Sequence, residues 1–463
     1  MAEVLLPGSS KVVEHNPFNR GVLMKCLSFI LIAMLILSAG SVLGGNIDYL
    51  TNRSVSYFRN FARNAATEGA DLVSYNPAGL IFLEEGFHIS FGNEFFLKDY
   101  TIDATPYWNT DTTVTYESNK PTLFYPDLYA VFRTGDWAVY GAFTVPAGGG
   151  SLDYKDGIYA MPLLETGVQR AMHGGDPRYF ALMTEGSIEA SSQYLAGTAG
   201  VSYAVNDILS VGFAGRYTSG KKNYSGTGDF VVMFDSIPGD TVPPLPVGTE
   251  HRVLDVEKTA SGFNGIISID VVPTEDMNIA LRYETRTDLE FETTVTTNDW
   301  AAFGLPDSSY TDGYTQRRDL PAMFSGGISY RFSPEFQLST MWNYYFVEDA
   351  AEDSLDGLDD DYTNGWDAGV GIDYQVSQRA LLGLGYVYSN LGGNEDTFSD
   401  FEYNLDCHCI GGGVRYSLND DMALTLAGGR NIYLEGSGSG LYENSTYNKK
   451  VWYFGLGAEI SFK

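Results

Sequence analysis

Between Trp366 and Tyr374 the chain alternates strictly. Trp366, Ala368, Val370, Ile372 and Tyr374 take one parity, and Asp367, Gly369, Gly371 and Asp373 take the other. Successive side chains of a strand point to opposite sides, so such a segment has one apolar and one polar surface. The pattern recurs near the end, where Trp452, Phe454, Leu456, Ala458, Ile460 and Phe462 oppose Tyr453, Gly455, Gly457 and Glu459. It recurs again where Leu209, Val211, Phe213 and Tyr217 oppose Ser210, Gly212, Ala214 and Arg216. Aromatic residues near the ends of the apolar faces match the interfacial girdle of a membrane barrel. Strands are predicted over 86–98, 122–134, 136–147, 185–205, 208–220, 251–272, 277–297, 316–332, 335–348, 363–376, 379–391, 401–418, 421–434 and 447–462, fourteen in all.

A soluble sandwich also alternates, so the connections decide. Short turns at 134–135, 205–207, 273–276, 333–334, 377–378 and 419–420 alternate with long loops at 99–121, 148–184, 221–250, 298–315, 349–362, 392–400 and 435–446. Tight turns at one end, long loops at the other and an even strand count describe an outer-membrane barrel. Closure also satisfies every backbone group in lipid. The prediction is an all-β fold, a 14-stranded antiparallel transmembrane β-barrel over 86–463, with no helical span, since no apolar run beyond Gly44 approaches 18 residues.

Before the barrel lie two other segments. Residues 27–37 form an apolar run behind Lys25, followed by small residues. At about 11 residues it is shorter than the roughly 20 needed to span a bilayer, and it reads as a cleaved export signal. The expected start is Met24 and the expected cut follows Gly44, so 1–44 forms an extension and signal, and Cys26 leaves with it. No lipobox surrounds Cys26. Residues 45–85 are not strand-like, and the barrel lumen is the available place for them. Within them Asn76-Pro77-Ala78-Gly79 predicts a turn, because proline fixes its own φ and restricts the residue before it.

Composition narrows the function. Lys and Arg total 28 against 59 Asp and Glu, a net charge of −31. No basic stripe is present for a nucleic-acid partner. A hydrophobic share of 44% with 14% aromatics excludes a disordered acidic chain. His88, His173, His251 and His408 are scattered, and no nucleophile, metal or phosphate-binding arrangement can be placed, so neither an enzyme nor a cofactor is expected. In Cys407-His408-Cys409 a strand turns both cysteines away from the histidine, which argues against zinc and leaves a redox or disulfide role open. The acidic stretch 348–361 lacks EF-hand spacing and reads as a solvated loop.

The sequence resembles the FadL/TodX-type outer-membrane transporters of long-chain fatty acids and hydrocarbons (OMPP1). The resemblance rests on Ala70-Asp71, on Tyr75-Asn76-Pro77-Ala78-Gly79-Leu80 ahead of the first strand, on Gly86 to Gly92, on Val145-Pro146-Ala147-Gly148-Gly149-Gly150, on Leu320-Pro321-Ala322 and on the strand count. The segment 59–69 departs from it in lacking a glycine-rich start. A terminal amphipathic strand with penultimate Phe462 resembles the signal read by the barrel assembly machinery. The resemblance implies that 45–85 is a hatch in the lumen, anchored by Asn76, Pro77, Ala78 and Gly79. It also implies passive uptake of a hydrophobic small molecule with lateral release at a kink in the third strand, for which Gly141 is the candidate. The expected surroundings are outer-membrane lipid and lipopolysaccharide in a Gram-negative bacterium, and the expected state is a monomer.

Candidate substrate contacts are Phe230, Val232, Met233 and Phe234 in one outer loop and Trp300 and Phe303 in another. An exposed apolar cluster marks an interaction site, though the two loops packing on each other is the alternative. Arg216, Arg282 and Arg286 are candidate lumen charges that either orient a carboxylate or neutralise Glu284 and Asp288. A structural or adhesive barrel and an outer-membrane lipid hydrolase are the alternative functions.

Overall fold

A computed structural model of the chain describes residues 54–105, 112–236, 243–300, 310–351 and 362–462. Fourteen staves form the wall: β1 (Gly86–Ala104), β2 (Thr122–Thr134), β3 (Trp137–Tyr154), β4 (Tyr179–Ala204), β5 (Leu209–Phe234), β6 (Leu245–Thr274), β7 (Met277–Glu284, resuming as Glu290–Asn298), β8 (Thr315–Arg317, then Ala322–Ser333), β9 (Phe336–Phe346), β10 (Gly365–Ser377), β11 (Ala380–Asn390), β12 (Cys407–Ser417), β13 (Met422–Tyr433) and β14 (Ser445–Phe462). Each pairs with the next, and β14 returns to β1, so the antiparallel sheet closes. Two short strands, Val114–Ser118 and Gly436–Ser437, are fastened to β1 and β14.

The alternation seen in the sequence becomes an outside and an inside. Leu384, Leu426, Phe454 and Leu456 are exposed on the outer surface, while Asp367, Asp373, Thr425 and Asn431 are buried on the inner one. Outward apolar and inward polar positions are the pattern of a membrane barrel. No helix among the described residues is long and apolar enough to cross a membrane.

The long connections differ from expectation. Staves β5 and β6 run 26 and 30 residues, well past the roughly 9–11 that cross a bilayer, so 221–234 and 245–250 are strand. Cross-strand bonding keeps them extended: β5 pairs with β4 from Ala204↔Ser210 up to Tyr179↔Phe234, and with β6 from Leu209↔Val271 up to Phe234↔Leu245. The segment 148–184 contains a helix, α3 (Ala160–Met172), which rests on β4 and β5. Stave β12 begins at Cys407, and the residues before it fold as a loop.

Inside the wall, 54–85 forms α1 (Val55–Arg59), α2 (Leu72–Tyr75) and a 3-10 turn (Pro77–Phe82). The Ser54 side chain caps α1 by accepting from the Tyr57 N–H at 3.1 Å, satisfying a donor that a helix start leaves orphaned. Pro77 suits the first position of its turn because it has no N–H to satisfy there. The expected export signal within 1–44 and residues 45–53 lie outside the described residues.

Candidate functional site

The hatch is held by polar groups that the lumen face presents at alternate positions. Ser202 on β4 donates to the Pro77 carbonyl at 2.6 Å, and Ser210 on β5 donates to the Ala78 carbonyl at 2.8 Å. The Ala78 N–H donates to Ser268 on β6 at 2.9 Å. The Asn76 amide donates to Asp270 on β6 and to the Ala66 carbonyl, and its oxygen accepts from the Gly79 N–H. The motif 76–79 therefore closes its own turn and fastens it to three staves.

A second set of contacts holds the preceding segment. The Ala65 carbonyl accepts from Asn278 at 3.0 Å and Ser329 at 3.1 Å. Asn64 donates to the Gly326 and Trp342 carbonyls. Arg59 is paired with Asp373 of β10 and with Glu68, and Arg63 with Asp71 at 2.6 Å. Burying these guanidinium groups is tolerated because each meets a carboxylate. The wall is thinned where the backbone of the hatch touches it. A Cβ at Gly327, Gly385 or Gly411 would come within 3.0, 2.7 or 2.9 Å of Ala65 N, Phe61 N or the Phe58 carbonyl.

Beside the hatch lies a cavity of about 50 Å³ between Tyr57 and Tyr75 on one side and Met323, Met341, Tyr345, Val387, Leu391 and Cys409 on the wall. Tyr57 and Tyr75 stack with ring centroids 5.5 Å apart. Asn64, Arg282, Asn343, Asp367 and Ser389 supply its polar lining. An apolar cavity that admits benzene measures about 150 Å³. The pocket is thus smaller than one that holds a benzene molecule.

Helix α3 packs on β4 and β5 and is bonded to the loop 391–406. Arg252 grips Glu165 of α3 through two hydrogen bonds of 2.9 and 3.0 Å. Asp400 accepts from the Ala160 N–H at 2.7 Å, capping α3 from the neighbouring loop. Burial pushes the Asp400 carboxyl up to about 7. Glu402 pairs with Lys222 and Arg318, and Tyr403 packs its ring on Tyr447.

The wall parts between β2 and β3. Their ladder runs from Thr134↔Trp137 to Leu128↔Phe143 and stops. On its other edge β3 slips register against β4 between Thr144 and Ala147 and again between Gly148 and Gly150. Pro146 lacks a donor, and Gly148 adopts φ +67°, a conformation that favours glycine. Across the parting, the Tyr125 hydroxyl donates to the Val145 carbonyl at 2.8 Å.

Several expectations need correction. Gly141 sits in unbroken ladders, opposite Ala130 and Ala199, so the irregularity of the third strand is at 144–150 and not there. Phe230 and Val232 are buried on β5, and Phe230 packs edge-on against Trp300 with centroids 6.3 Å apart, so they line no exposed groove. Met233 lies in the ladder between Phe180 and Pro246, and Phe234 sits under the Arg178 guanidinium. Phe303 lies outside the described residues. Arg216 and Arg282 do face the lumen, both paired with Glu284. Arg286 does not join them: it follows the break in β7, is 38% exposed, and bonds Asp288 and the Asp349 carbonyl. The anchors Ser202, Ser268, Asp270 and Asp373, and helix α3, were not picked out in the sequence. Their only signal is an isolated polar residue at a lumen-facing position, and other positions such as Ser325, Thr425 and Asn431 share it.

A closed fourteen-stave barrel with an N-terminal segment bonded to its inner face is the architecture of an outer-membrane barrel. A profile of the family described as outer membrane protein transport protein (OMPP1/FadL/TodX) matches residues 185–428, and the chain belongs to that family. No curated protein sequence matches it. Solved structures with the same fold include the Ralstonia pickettii toluene transporter TbuX, with a TM-score of 0.58, 16% identity, and 88% of this chain and 98% of that one covered. A Pseudomonas aeruginosa FadL homologue has a TM-score of 0.59 at 14% identity, covering 91% and 100%. The Pseudomonas putida toluene transporter TodX gives the same values.

Proposed function

We propose that the chain imports a hydrophobic small molecule passively, by displacement of the hatch, and releases it sideways through the parting between β2 and β3. The observation that carries this reading is the plug itself. It is tied to β4, β5 and β6 by neutral hydrogen bonds, to Asp270 of β6 through Asn76 and to Asp373 of β10 through Arg59, and it flanks a cavity of about 50 Å³. Each neutral bond contributes about 0.5–1.5 kcal/mol, so the turn at 76–79 is held to β4 and β5 by weak contacts, while the Arg59–Asp373 pair holds the preceding helix more firmly. A cargo gains about 0.8 kcal/mol for each buried CH₂, enough for a long acyl chain to offset that cost. The neighbouring toluene transporters and FadL homologue support a hydrocarbon or fatty-acid cargo. The ladder that ends at Leu128↔Phe143 supports lateral exit.

The test is uptake of radiolabelled long-chain fatty acid, and in parallel toluene, by cells expressing the protein or an Asn76→Ala, Pro77→Ala variant at matched surface levels. Uptake above that of empty cells and lost in the variant is expected for one of the two compounds. Uptake equal to that of empty cells for both would sink these cargo classes and favour a structural barrel.

A further inference from the structure

The outer surface of β12, β13 and β14 carries charge on a face that is otherwise apolar. Along β13 Leu424 and Leu426 are exposed toward lipid, and Arg430 follows at the same parity. Arg430 lies opposite Ile410 of β12 and Trp452 of β14, and Ile432 lies opposite His408 and Lys450. The buried Cys407, Cys409, Lys449 and Val451 take the inner parity, so His408 and Lys450 share the outer one. Both stand diagonally to Arg430, roughly 7–8 Å away, where long side chains can meet one ligand. Arg430 is eight residues beyond Met422, where β13 leaves its short turn. With a rise of about 3.3–3.4 Å per residue and a tilt of about 45°, it lies roughly 19 Å up an apolar band about 25 Å tall. Ile432 and its two partners lie roughly 24 Å up, level with the outer girdle. Tyr386, Tyr388 and Trp452 beside them supply that girdle.

Arg430 is set apart by its surroundings. Its guanidinium carbon stands 5.1 Å over the Trp452 ring, and its Nε is buried without a hydrogen bond. Among the described residues no carboxylate pairs with it. Elsewhere on the surface Lys221 meets Glu257 at 2.5 Å and Arg178 meets Asp176 at 2.6 Å. Lys450 reaches Asp99 only at 3.8 Å, with the two side chains 63% and 49% exposed, and so exposed a pair holds weakly. The Tyr386 hydroxyl, 2.8 Å from its Nδ1, orients the His408 ring. In a chain of net charge −31, a basic patch at the headgroup level selects an anion from the membrane.

We propose that Arg430, Lys450 and His408 form a docking site for a phosphate of lipid A, the phosphorylated glycolipid of the outer leaflet. The proposal rests on the outer-membrane reading and not on the cargo. The long connections lie at this end of the staves, so the leaflet that meets the patch is the outer one. A guanidinium binds phosphate through two parallel donors, and stacking on Trp452 holds its plane in one orientation. Lys450 adds a mobile ammonium whose stem can lie along the apolar surface while its head reaches the phosphate. Below the patch Ile410, Leu426 and Phe454 are exposed and offer an apolar bed for the acyl chains. The site faces lipid, so it is separate from the lumen arginines that Glu284 neutralises.

The experiment titrates the delipidated full-length protein in detergent with bis-phosphorylated lipid A and counts bound lipid by native mass spectrometry. An Arg430→Gln, Lys450→Gln double variant is expected to bind about tenfold more weakly or worse, because bonds to a charged phosphate are lost. Arg331→Gln, the same charge change beside the short turn at 333–334, is expected to bind as the wild type does. Lipid A stripped of its phosphates is expected to bind the wild type no better than the double variant. Equal affinity of wild type and double variant for bis-phosphorylated lipid A would overturn the proposal. So would phosphatidylglycerol binding as tightly as lipid A, or inorganic phosphate displacing it. Slower migration of unheated protein on heating in dodecyl sulfate gels checks that each variant is a folded barrel. If the double variant does not fold, Lys450→Gln alone is expected to weaken binding several-fold, and no change would overturn the site. The readout is independent of transport, so failure of the uptake assay leaves it standing and the reverse holds too.

Discussion

Arg59 shows how a single residue in the hatch carries more than its local helix. It ends α1, is 1% exposed, and joins Asp373 on the wall to Glu68 within the hatch. Replacing it with methionine keeps most of the volume but leaves the Asp373 carboxylate with only the Asn60 amide at 2.7 Å. Breaking one side of a buried pair costs about 3–5 kcal/mol, because the remaining charge loses its compensation. For Arg59→Met, amide hydrogen exchange over 55–80 is expected to accelerate by at least two orders of magnitude while the wall staves keep their protection. Equal acceleration in both would mean that hatch and wall unfold as one. The same reasoning explains the pairing of Arg216 and Arg282 with Glu284, which leaves neither guanidinium available to a cargo carboxylate in this closed arrangement.

At the scale of elements, α3 and the wall parting each carry a contact that a single substitution removes. Helix α3 is capped by Asp400, whose Oδ1 is buried without a hydrogen-bond partner. Burial raises this carboxyl to about 7, above the roughly 3.9 of an unfolded aspartate. The folded state therefore holds the proton more tightly. The contribution to the stability of α3 is full below about pH 4 and is lost as pH rises through about 7. Exchange over 158–173, corrected for its intrinsic pH dependence, is expected to speed up between pH 5 and 8 in the wild type and to stay flat in Asp400→Asn. A wild-type profile as flat as the variant's would refute this. The parting between β2 and β3 is crossed by the Tyr125 hydroxyl. Tyr125→Phe removes one neutral hydrogen bond, worth about 0.5–1.5 kcal/mol. If cargo leaves there, uptake is expected to rise several-fold at unchanged surface level, and a fall would argue for another exit.

For the whole molecule, closure and the lipid-facing belt set the stability. Leu384 on β11 is 64% exposed on the outer surface, next to a lumen-facing position filled by Gly385. An arginine near the bilayer midplane costs about 2–4 kcal/mol. Leu384→Arg is expected to lower the guanidinium unfolding free energy in phospholipid vesicles by that amount. In the same assay Asp373→Asn, on the lumen side, should act mainly on the hatch. If both substitutions had the same effect, the inside–outside assignment of these staves would be wrong.

How much of this was legible beforehand follows from the range of the forces involved. Alternation with period two is a property of neighbouring residues, so the wall, its fourteen staves, its outward face and the sides of its short and long connections could be read from Trp366 to Tyr374 and the segments like it. The turn at 76–79 was legible for the same reason, since Asn76 and Pro77 act on their own backbone. Where the strands end was not legible. Phe230 to Phe234 read as an apolar loop, but pairing with β4 and β6 draws them into the ladder, an interaction between residues tens of positions apart. The kink lies at Pro146 and Gly148 instead of Gly141, because a glycine within intact ladders stays straight and a missing donor beside a positive φ does not. Asp400 on α3 and Asp373 on Arg59 join segments that only closure of the barrel brings together, and Tyr125 on Val145 bridges a hairpin beyond the point where its ladder stops. The sequence by itself determined the repeating wall, because local periodicity encodes it. The tertiary structure decided where that wall is plugged and parted, because those contacts are made between residues that share no local pattern.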